Sequence, residues 1–423
     1  MSHGGYEWST GDAPPIIGDH SIAKHEVLHA YLLIYVDVLT SYPGMDGLRL
    51  TLVDGFAGGG KYTHPRDKSE HDGSPLIMLR AMEEAEFRAQ ERRKKNFALD
   101  ARFFFVESQG PTFSYLKNTI ENPDFANKFK SKASLIHSTF ENAAPKIVTS
   151  IQGGGGRVHR CIFLLDQYGW SDVTLDTVRM VLKELPGAEI LLTFSVDKMI
   201  NFLSEQGVPT LNRTGLSEIA KAVPTLKTLP AKRRFLQRLL TEELTKRCGA
   251  TFYTPFFIRP STASNNDYWF VHLSNHARAR DEMAKLHWGL QNHFVHHGEP
   301  GLMMLGYDPR KDDAYHGQGS LFDFSNDAET LTKNTLREQL PRRINAIWPK
   351  GASFDKIFQT LCNETPATKD IIRQVVRDCI SERELDLFSG KTTRSRRPDV
   401  QHIADNDVIV FSRQLRFFIK PQG

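Results

Sequence analysis

Apolar positions in this chain change their period repeatedly, and the changes lay out its elements. Between Ser21 and Leu39, the residues Val27, Leu28, Tyr31, Leu32, Tyr35, Val38 and Leu39 recur at helical spacing and form one stripe. Lys24, His25 and His29 lie near the start of that helix and read as its solvated first turn. Pro43-Gly44 ends it. A short run of strand formers follows, Leu48, Leu50, Leu52 and Val53, too brief for a helix. It closes on Asp54 and on four glycines within six residues, Gly55, Gly58, Gly59 and Gly60.

The alternation then continues. Residues 76–95 predict a helix with a charged outer face, and 101–107 an apolar strand ending in Glu107. A helix over 112–120 leads to a third strand over 133–139, with Ser138 at its tip. The run Cys161-Ile-Phe-Leu-Leu-Asp166 again delivers an acid at a strand end, and 189–196 gives a fifth strand. Residues 197–250 read as a helical insertion, 252–258 and 268–273 as closing strands, and 275–290 as a helix behind them. Strands alternating with helices predict an α/β fold, a doubly wound sheet covered on both faces, over residues 21–305. A polar lead-in, residues 1–20, broken by Pro14 and Pro15, precedes it and is expected to be flexible.

After a polar, glycine-containing linker at 306–328, the character changes over 329–423. Helices are predicted at 330–347 and 353–361. A third starts after Thr365, with Ile371, Ile372, Val375, Val376, Cys379 and Ile380 on one face. Strands at 385–388 and 407–411 follow, joined by a stretch holding Lys391, Arg394, Arg396 and Arg397. Helices and then a ribbon with a basic tip make a winged-helix plan, which serves either nucleic-acid binding or protein packing. Lys369, Arg373 and Arg377 recur every fourth residue as a basic ridge beside the apolar stripe, so these seven cations are the candidate nucleic-acid contacts.

Composition narrows the classes. The chain has 423 residues, 40% hydrophobic and 25% charged, with a net charge of +4. That mild basicity permits DNA or RNA as a partner without demanding it. No run of about eighteen apolar residues exists, which argues against a membrane span, and no signal-peptide layout opens the chain. The four cysteines are scattered without metal or disulfide spacing, so no metal is expected and a cytoplasmic location is.

The candidate chemistry lies at the strand ends. A strand running into a glycine-rich turn brings backbone close to a nucleotide-like ligand in doubly wound proteins. The turn is neither Gly-x-Gly-x-x-Gly nor a P-loop. Asp54-Gly-Phe-Ala-Gly-Gly-Gly60 instead resembles the first motif of class I S-adenosylmethionine-dependent methyltransferases; the other reading is a turn with glycines for tight packing. Asp54, Gly55, Phe56, Ala57, Gly58 and Gly60 are therefore candidate cofactor contacts, with Ser138 beside them. Glu107 reads either as an acceptor for ribose hydroxyls or as a helix N-terminal acid. In methyltransferases of exocyclic amines the fourth strand ends in Asp/Asn-Pro-Pro-aromatic, where an acid orients the amine and a ring stacks on an extruded base. Here it ends in Asp166-Gln-Tyr-Gly-Trp170, without either proline. Asp166, Tyr168 and Trp170 are the candidate catalytic residues.

The ordered set Lys24…Leu28…Tyr31-Leu32, Asp54-Gly-Phe-Ala-Gly58, Gly73-Ser-Pro75, Leu165-Asp-x-Tyr-Gly-Trp170 and Ser274-Asn-His276 ahead of Met283 and Trp288 resembles the three-Cys-motif partner protein family, TcmP. The resemblance spans about residues 24–290. It implies a Rossmann-type methyltransferase-like domain and, as partner, a three-cysteine protein resembling radical S-adenosylmethionine enzymes. Members more often carry Asp-Pro where this chain has Asp166-Gln167. The expected function is S-adenosylmethionine-dependent methyl transfer to nucleic acid or a nucleotide-like substrate. The alternative is a non-catalytic Rossmann-like partner that holds nucleic acid for the three-cysteine enzyme.

Overall fold

The computed structural model describes residues 6–42, 44–93, 97–123, 125, 129, 131–154, 159–226, 232–258, 268–290, 294–297, 301–302, 321–323, 326–389 and 401–412. The chain forms two compact units, Met1–Val295 and His296–Gly423.

In the first unit a helix, α1 (Asp19–Leu39), precedes the first strand, β1 (Gly47–Asp54). A small hairpin of β2 (Lys61–Thr63) and β3 (Glu70–Asp72) follows, then α2 (Ser74–Arg93). Three strand–helix repeats come next: β4 (Ala98–Glu107) with α3 (Gly110–Ile120), β5 (Ala133–His137) with α4 (Phe140–Gly153), and β6 (Cys161–Leu165) with α5 (Leu175–Glu184). Strand β7 (Ala188–Ser195) leads into four helices, α6 (Val196–Asn201), α7 (Val208–Arg213), α8 (Ser217–Leu226) and α9 (Lys232–Cys248). The unit closes with β8 (Phe252–Ile258), β9 (Tyr268–Ser274), α10 (Ala277–Gly289) and β10 (Phe294–His297).

The strands run in the order β5-β4-β1-β6-β7-β9-β8-β10. The first five are parallel; β9 runs against β7 and β8. In order of the parallel strands this is 3-2-1-4-5, the doubly wound arrangement, with its reversal between β1 and β6. Every residue of β6 and β7 is buried, which is why both read as unbroken apolar runs. This is the mostly parallel sheet of class I methyltransferases with a helical insertion after β7, as the sequence predicts.

Two local expectations change. Within the segment read as a flexible lead-in, Trp8 is 6% exposed and Ile17 1%. Ile17 N–H donates to Thr63 O (3.0 Å) and Thr63 N–H to Pro15 O (2.9 Å), so the segment adds itself to the β2 edge, and α1 already begins at Asp19. In α1, Lys24 and His25 are buried; only His29, paired with Glu84 at 3.1 Å, keeps the solvated position. Lys24 precedes Leu28 by one turn and Tyr31 by two, so helical geometry puts it on the apolar face.

The second unit contains α11 (Asn326–Ile347), β11 (Ala352–Ser353), α12 (Phe354–Leu361), α13 (Lys369–Ser381), β12 (Leu385–Phe388) and β13 (Val408–Phe411). Its three strands order as β11-β13-β12, all antiparallel, and its core holds Phe354, Ile357, Phe358, Ile372, Val375, Val376, Leu385 and Ile409. Ser353 and Thr368 cap α12 and α13 by accepting from Lys356 N–H and Ile371 N–H. This is a winged helix. Strand β11, two residues long, has too short an apolar signature to be read from sequence.

Candidate functional site

Ligands of open α/β sheets bind beyond the carboxyl ends of the strands, where the order reverses. Here that point lies between the ends of β1 and β6, and four candidate residues or turns meet around it. Asp54 ends β1 and is fully buried. Its Oδ1 accepts from Phe56 N–H at 3.1 Å, while Oδ2 has no hydrogen-bond partner. Burial above all pushes its pKa up to about 7, against the opposing Ser74 hydroxyl and Phe56 N–H and with Asp166 and Glu107 adding repulsion.

Asp166, just past β6, is answered by a residue 142 positions away: Lys24 Nζ donates to Oδ1 at 2.5 Å and Oδ2 at 2.6 Å. Both side chains are largely shielded, 7% and 22% exposed. Burial alone would raise the Asp166 pKa, but the Lys24 ammonium outweighs it and holds the carboxyl below its usual range. Asp166 therefore stays ionised. Sequence reading missed Lys24 as a site residue; its place on the apolar stripe was the available signal, since a lysine there needs a buried partner.

The glycine turn between them owes its composition partly to protein contacts. Gly58 has φ +60°, which favours glycine, and its N–H donates to Glu107 Oε2 at 3.0 Å. A Cβ on Gly59 would lie 2.4 Å from Trp8 Cδ1, so that glycine admits the indole. Trp8 Nε1 in turn donates to Lys61 O at 2.7 Å. Ala57 N–H donates to Val106 O at 2.9 Å, and Phe56 packs toward Phe140 with ring centroids 6.5 Å apart. Gly55 and Gly60 complete the turn; Gly73 N–H, just before α2, donates to Gly60 O at 2.8 Å. Glu107 Oε1 accepts from Gln109 N–H at 2.7 Å, next to the start of α3, so this carboxylate fastens both the glycine turn and a helix start. Ser138 N–H donates to Glu107 O at 3.1 Å, which places Ser138 at the same rim.

Gln167 explains how the loop after Asp166 holds its shape without proline. It is 1% exposed, and its Oε1 accepts from Asp172 N–H (3.0 Å) and Val173 N–H (3.3 Å), closing the loop on itself. Its Nε2 is buried without a partner. The loop leaves Tyr168 47% exposed and buries Trp170 to 5%. Around the Lys24–Asp166 pair stand neutral histidines: burial, chiefly, lowers His20 to about 4 and His25 to about 3. His25 Nδ1 and His71 Nε2 are 3.2 Å apart in a shared hydrogen bond. Two turns beyond Lys24 along α1, Tyr31 donates to buried Glu189, which also meets His272 at 2.9 Å.

In the winged helix, α13 brings Lys369, Arg373 and Arg377 onto one ridge, but their charge is answered within the unit. Lys369 bonds Asp355 (2.9 Å) and Asp405 (2.8 Å). Arg373 bonds Asp370 (2.7 Å) and Asp405 (3.0 Å), and Arg377 donates to Gln401 O at 3.2 Å. Lys391, Arg394, Arg396 and Arg397 lie outside the described residues. No helix among the described residues is long and apolar enough to cross a membrane.

Among curated proteins none matches this sequence. Solved structures similar to it include protein LPL1258 from Legionella pneumophila, of family model DUF519, at 10% identity and TM-score 0.37 over 62% of this chain and 88% of that one. Spermidine synthase from Thermotoga maritima aligns at 8% identity and TM-score 0.30, over 61% and 60%. The METTL16 MTase domain aligns at 11% and 0.27, over 58% and 66%. Such distant likenesses carry no argument about activity, and the fold rests on the chain's own strand order. Residues 306–390 match the family model of the GMT-like wHTH domain. The chain thus joins a class I methyltransferase-type sheet to a C-terminal winged helix-turn-helix domain.

Proposed function

We propose that this protein binds S-adenosylmethionine at the β1–β6 switch point and transfers its methyl group to a nucleic acid or nucleotide-like substrate. The observation that carries the reading is the fully buried Oδ2 of Asp54, which makes no hydrogen bond of good geometry although the Ser74 hydroxyl lies near. An unmet buried acceptor is costly, and an ammonium group would satisfy it. The orphaned Gln167 Nε2 on the neighbouring strand end is a donor suited to a carboxylate. Together they fit the two ends of an amino-acid zwitterion. Two further carboxylates, Asp166 and Glu107, lie near enough to Asp54 to repel it, and such a cluster also suits a cationic sulfonium.

Bound there, S-adenosylmethionine supplies an electrophilic methyl group. The chain's own residues do the rest. Glu107 keeps the glycine turn in register and offers its remaining lone pairs to ribose hydroxyls. Lys24 holds Asp166 ionised and fixed, so that it acts as a hydrogen-bond acceptor for the target. Gln167 fixes the loop that presents Tyr168. A three-cysteine partner, implied by the family resemblance, is the companion in this reading.

One observation favours the non-catalytic alternative: both oxygens of Asp166 already hold the protein's own ammonium. Calorimetric titration of the whole chain with S-adenosylmethionine and S-adenosylhomocysteine tests the proposal. Binding at micromolar levels, weakened in Asp54→Asn, is expected. No binding by the folded wild-type protein leaves the partner reading standing instead.

A further inference from the structure

Beside the loop after β6, Lys198 and Phe202 join the Tyr168 and Trp170 already described. Among the described residues seven large apolar side chains are exposed, and two of them, Tyr168 (47%) and Phe202 (42%), stand at this one lip. Trp170, 5% exposed, meets Phe202 edge-on with centroids 5.5 Å apart and anchors it. Lys198, on α6, lies over the Tyr168 ring, Nζ 3.0 Å from its centroid, and donates to Tyr168 O at 3.0 Å. Arg213, at the end of α7, reaches Ser171 O at 3.4 Å. Two cations thus rest on carbonyls of the loop that presents the exposed rings.

We propose that Lys198 is a displaceable cover on a stacking platform made by Tyr168 and Phe202, and that the platform receives one unpaired nucleotide of a single-stranded nucleic acid. The inference rests on the nucleic-acid reading above and adds the form of the substrate. Exposed aromatic faces beside cations suit an unpaired base with its phosphate, because every base has a π-face and every phosphate a charge. A cation on an exposed ring is held weakly, and so is a hydrogen bond to a half-exposed carbonyl. An arriving phosphate gives the ammonium a stronger, charge-assisted partner, and the ring face it leaves becomes free for the base. The cover and the phosphate therefore exchange.

The exchange predicts opposite effects on two ligands. Fluorescence anisotropy with a labelled short single-stranded RNA, and titration with adenosine in saturating S-adenosylhomocysteine so that the switch-point site is filled, are run on full-length wild type and on Lys198→Ala, Phe202→Ala and Phe202→Leu. Lys198→Ala should lower the slope of log affinity against log salt by about 0.7, one phosphate contact on a single strand. The same variant should bind adenosine roughly two- to fivefold more tightly, since no cation need leave the ring. Phe202→Ala should weaken both ligands by about fivefold or more. Phe202→Leu keeps the apolar bulk but not the ring, and should be similarly weakened if stacking is the contact.

Equal binding of single strand and duplex by wild type would overturn the proposal. So would an adenosine affinity that Lys198→Ala leaves unchanged or lowers, or wild-type protein that binds neither RNA nor adenosine at low salt. S-adenosylmethionine titration of the same preparations separates this from the methyl-transfer reading. Cofactor binding with an inert platform sinks only the platform.

Discussion

The strand-end site of the first unit and the α13 ridge of the second both gather charged residues, and they differ in the kind of atom each leaves unmet. On α13 each of Lys369 and Arg373 has two carboxylate partners, shared through Asp405. At the switch point Lys24 satisfies Asp166, yet Asp54 Oδ2 and Gln167 Nε2 remain buried without partners. Buried polar atoms in folded proteins are nearly always paired. On α13 the unmet atoms, Arg373 Nε and Arg377 Nε, belong to guanidinium groups that already hold other bonds, whereas those at the switch point are one carboxylate oxygen and one amide nitrogen facing the proposed cofactor site. A dense basic ridge looks the more functional of the two in sequence. Its charge count does not measure its capacity to bind.

Substitutions can break this contrast, and the largest effect is expected at Lys24. Lys24→Met leaves a shielded carboxylate without its cation and should cost about 3–5 kcal/mol in urea unfolding. Adding Asp166→Asn should recover most of that loss, because the uncompensated charge goes with it. The acid side follows from the direction of the Asp166 shift. Its folded pKa lies below the ordinary 3.8, so the pair's contribution is present above pH 3.8 and is lost as pH falls below it. Lys24→Met should show no such acid-side loss; an unfolding midpoint equal to wild type would remove the pair from the fold's supports.

Asp54→Asn comes next, and it tests the unmet valence directly. Loss of a charge-assisted hydrogen bond is worth about 1.5–3 kcal/mol, hence roughly tenfold or more in affinity for S-adenosylhomocysteine. The pH dependence has a definite sign. The Asp54 pKa is raised from 3.8 to about 7, so its contribution to stability is full below 3.8 and is lost as pH rises through 7. A cationic ligand favours the ionised form, so affinity should rise between pH 6 and 8, with a proton released on binding near neutrality. Calorimetry in buffers of different ionisation enthalpy reads that proton. An affinity flat across this range in wild type would exclude Asp54 as the ammonium's partner.

Gln167→Ala removes the side-chain acceptor of two backbone N–H groups in the loop, at about 1–3 kcal/mol for the buried Val173 donor left unpaired. Hydrogen exchange at Asp172 and Val173 should quicken. Unchanged protection there would mean that the loop holds itself without the glutamine.

The smallest effect sharpens the other side of the comparison. Asp405→Asn removes a carboxylate shared by Lys369 and Arg373 at little cost, about 0.2–1 kcal/mol for exposed pairs. If α13 faces nucleic acid, freeing these cations should tighten duplex binding and steepen its salt dependence, measured by anisotropy in a salt series. No change in either quantity would assign the ridge to internal support of the winged helix.

Much of the first unit was legible because its signals are local. Leu48 to Val53 read as a strand, Glu107 and Asp166 read as acids at strand ends, and the structure puts all three there. Glu107 was open between ribose acceptor and helix-start acid. Its bonds to Gly58 and Gln109 show it bracing the turn and the helix start, with its remaining lone pairs open to the ribose role. Lys24 was misread because a polar residue in a first helical turn is ordinarily solvated, and only its buried partner overrules that. The missing proline after Asp166 looked like a lost function in one dimension; in three, Gln167 closes the same loop with its side chain.

By itself the sequence determined the order of the main sheet strands, the winged-helix plan and the acids at the strand ends. Hydrophobic period, glycine breaks and caps act over a few residues and need nothing distant. Tertiary structure decided which charges meet. Lys24 finds Asp166 across 142 residues and Lys369 finds Asp405 across 36. The Trp8 indole settles on Gly59 because the segment before α1 pairs with β2. Coulombic and packing partners are selected by distance in space, and no local period along a chain encodes it.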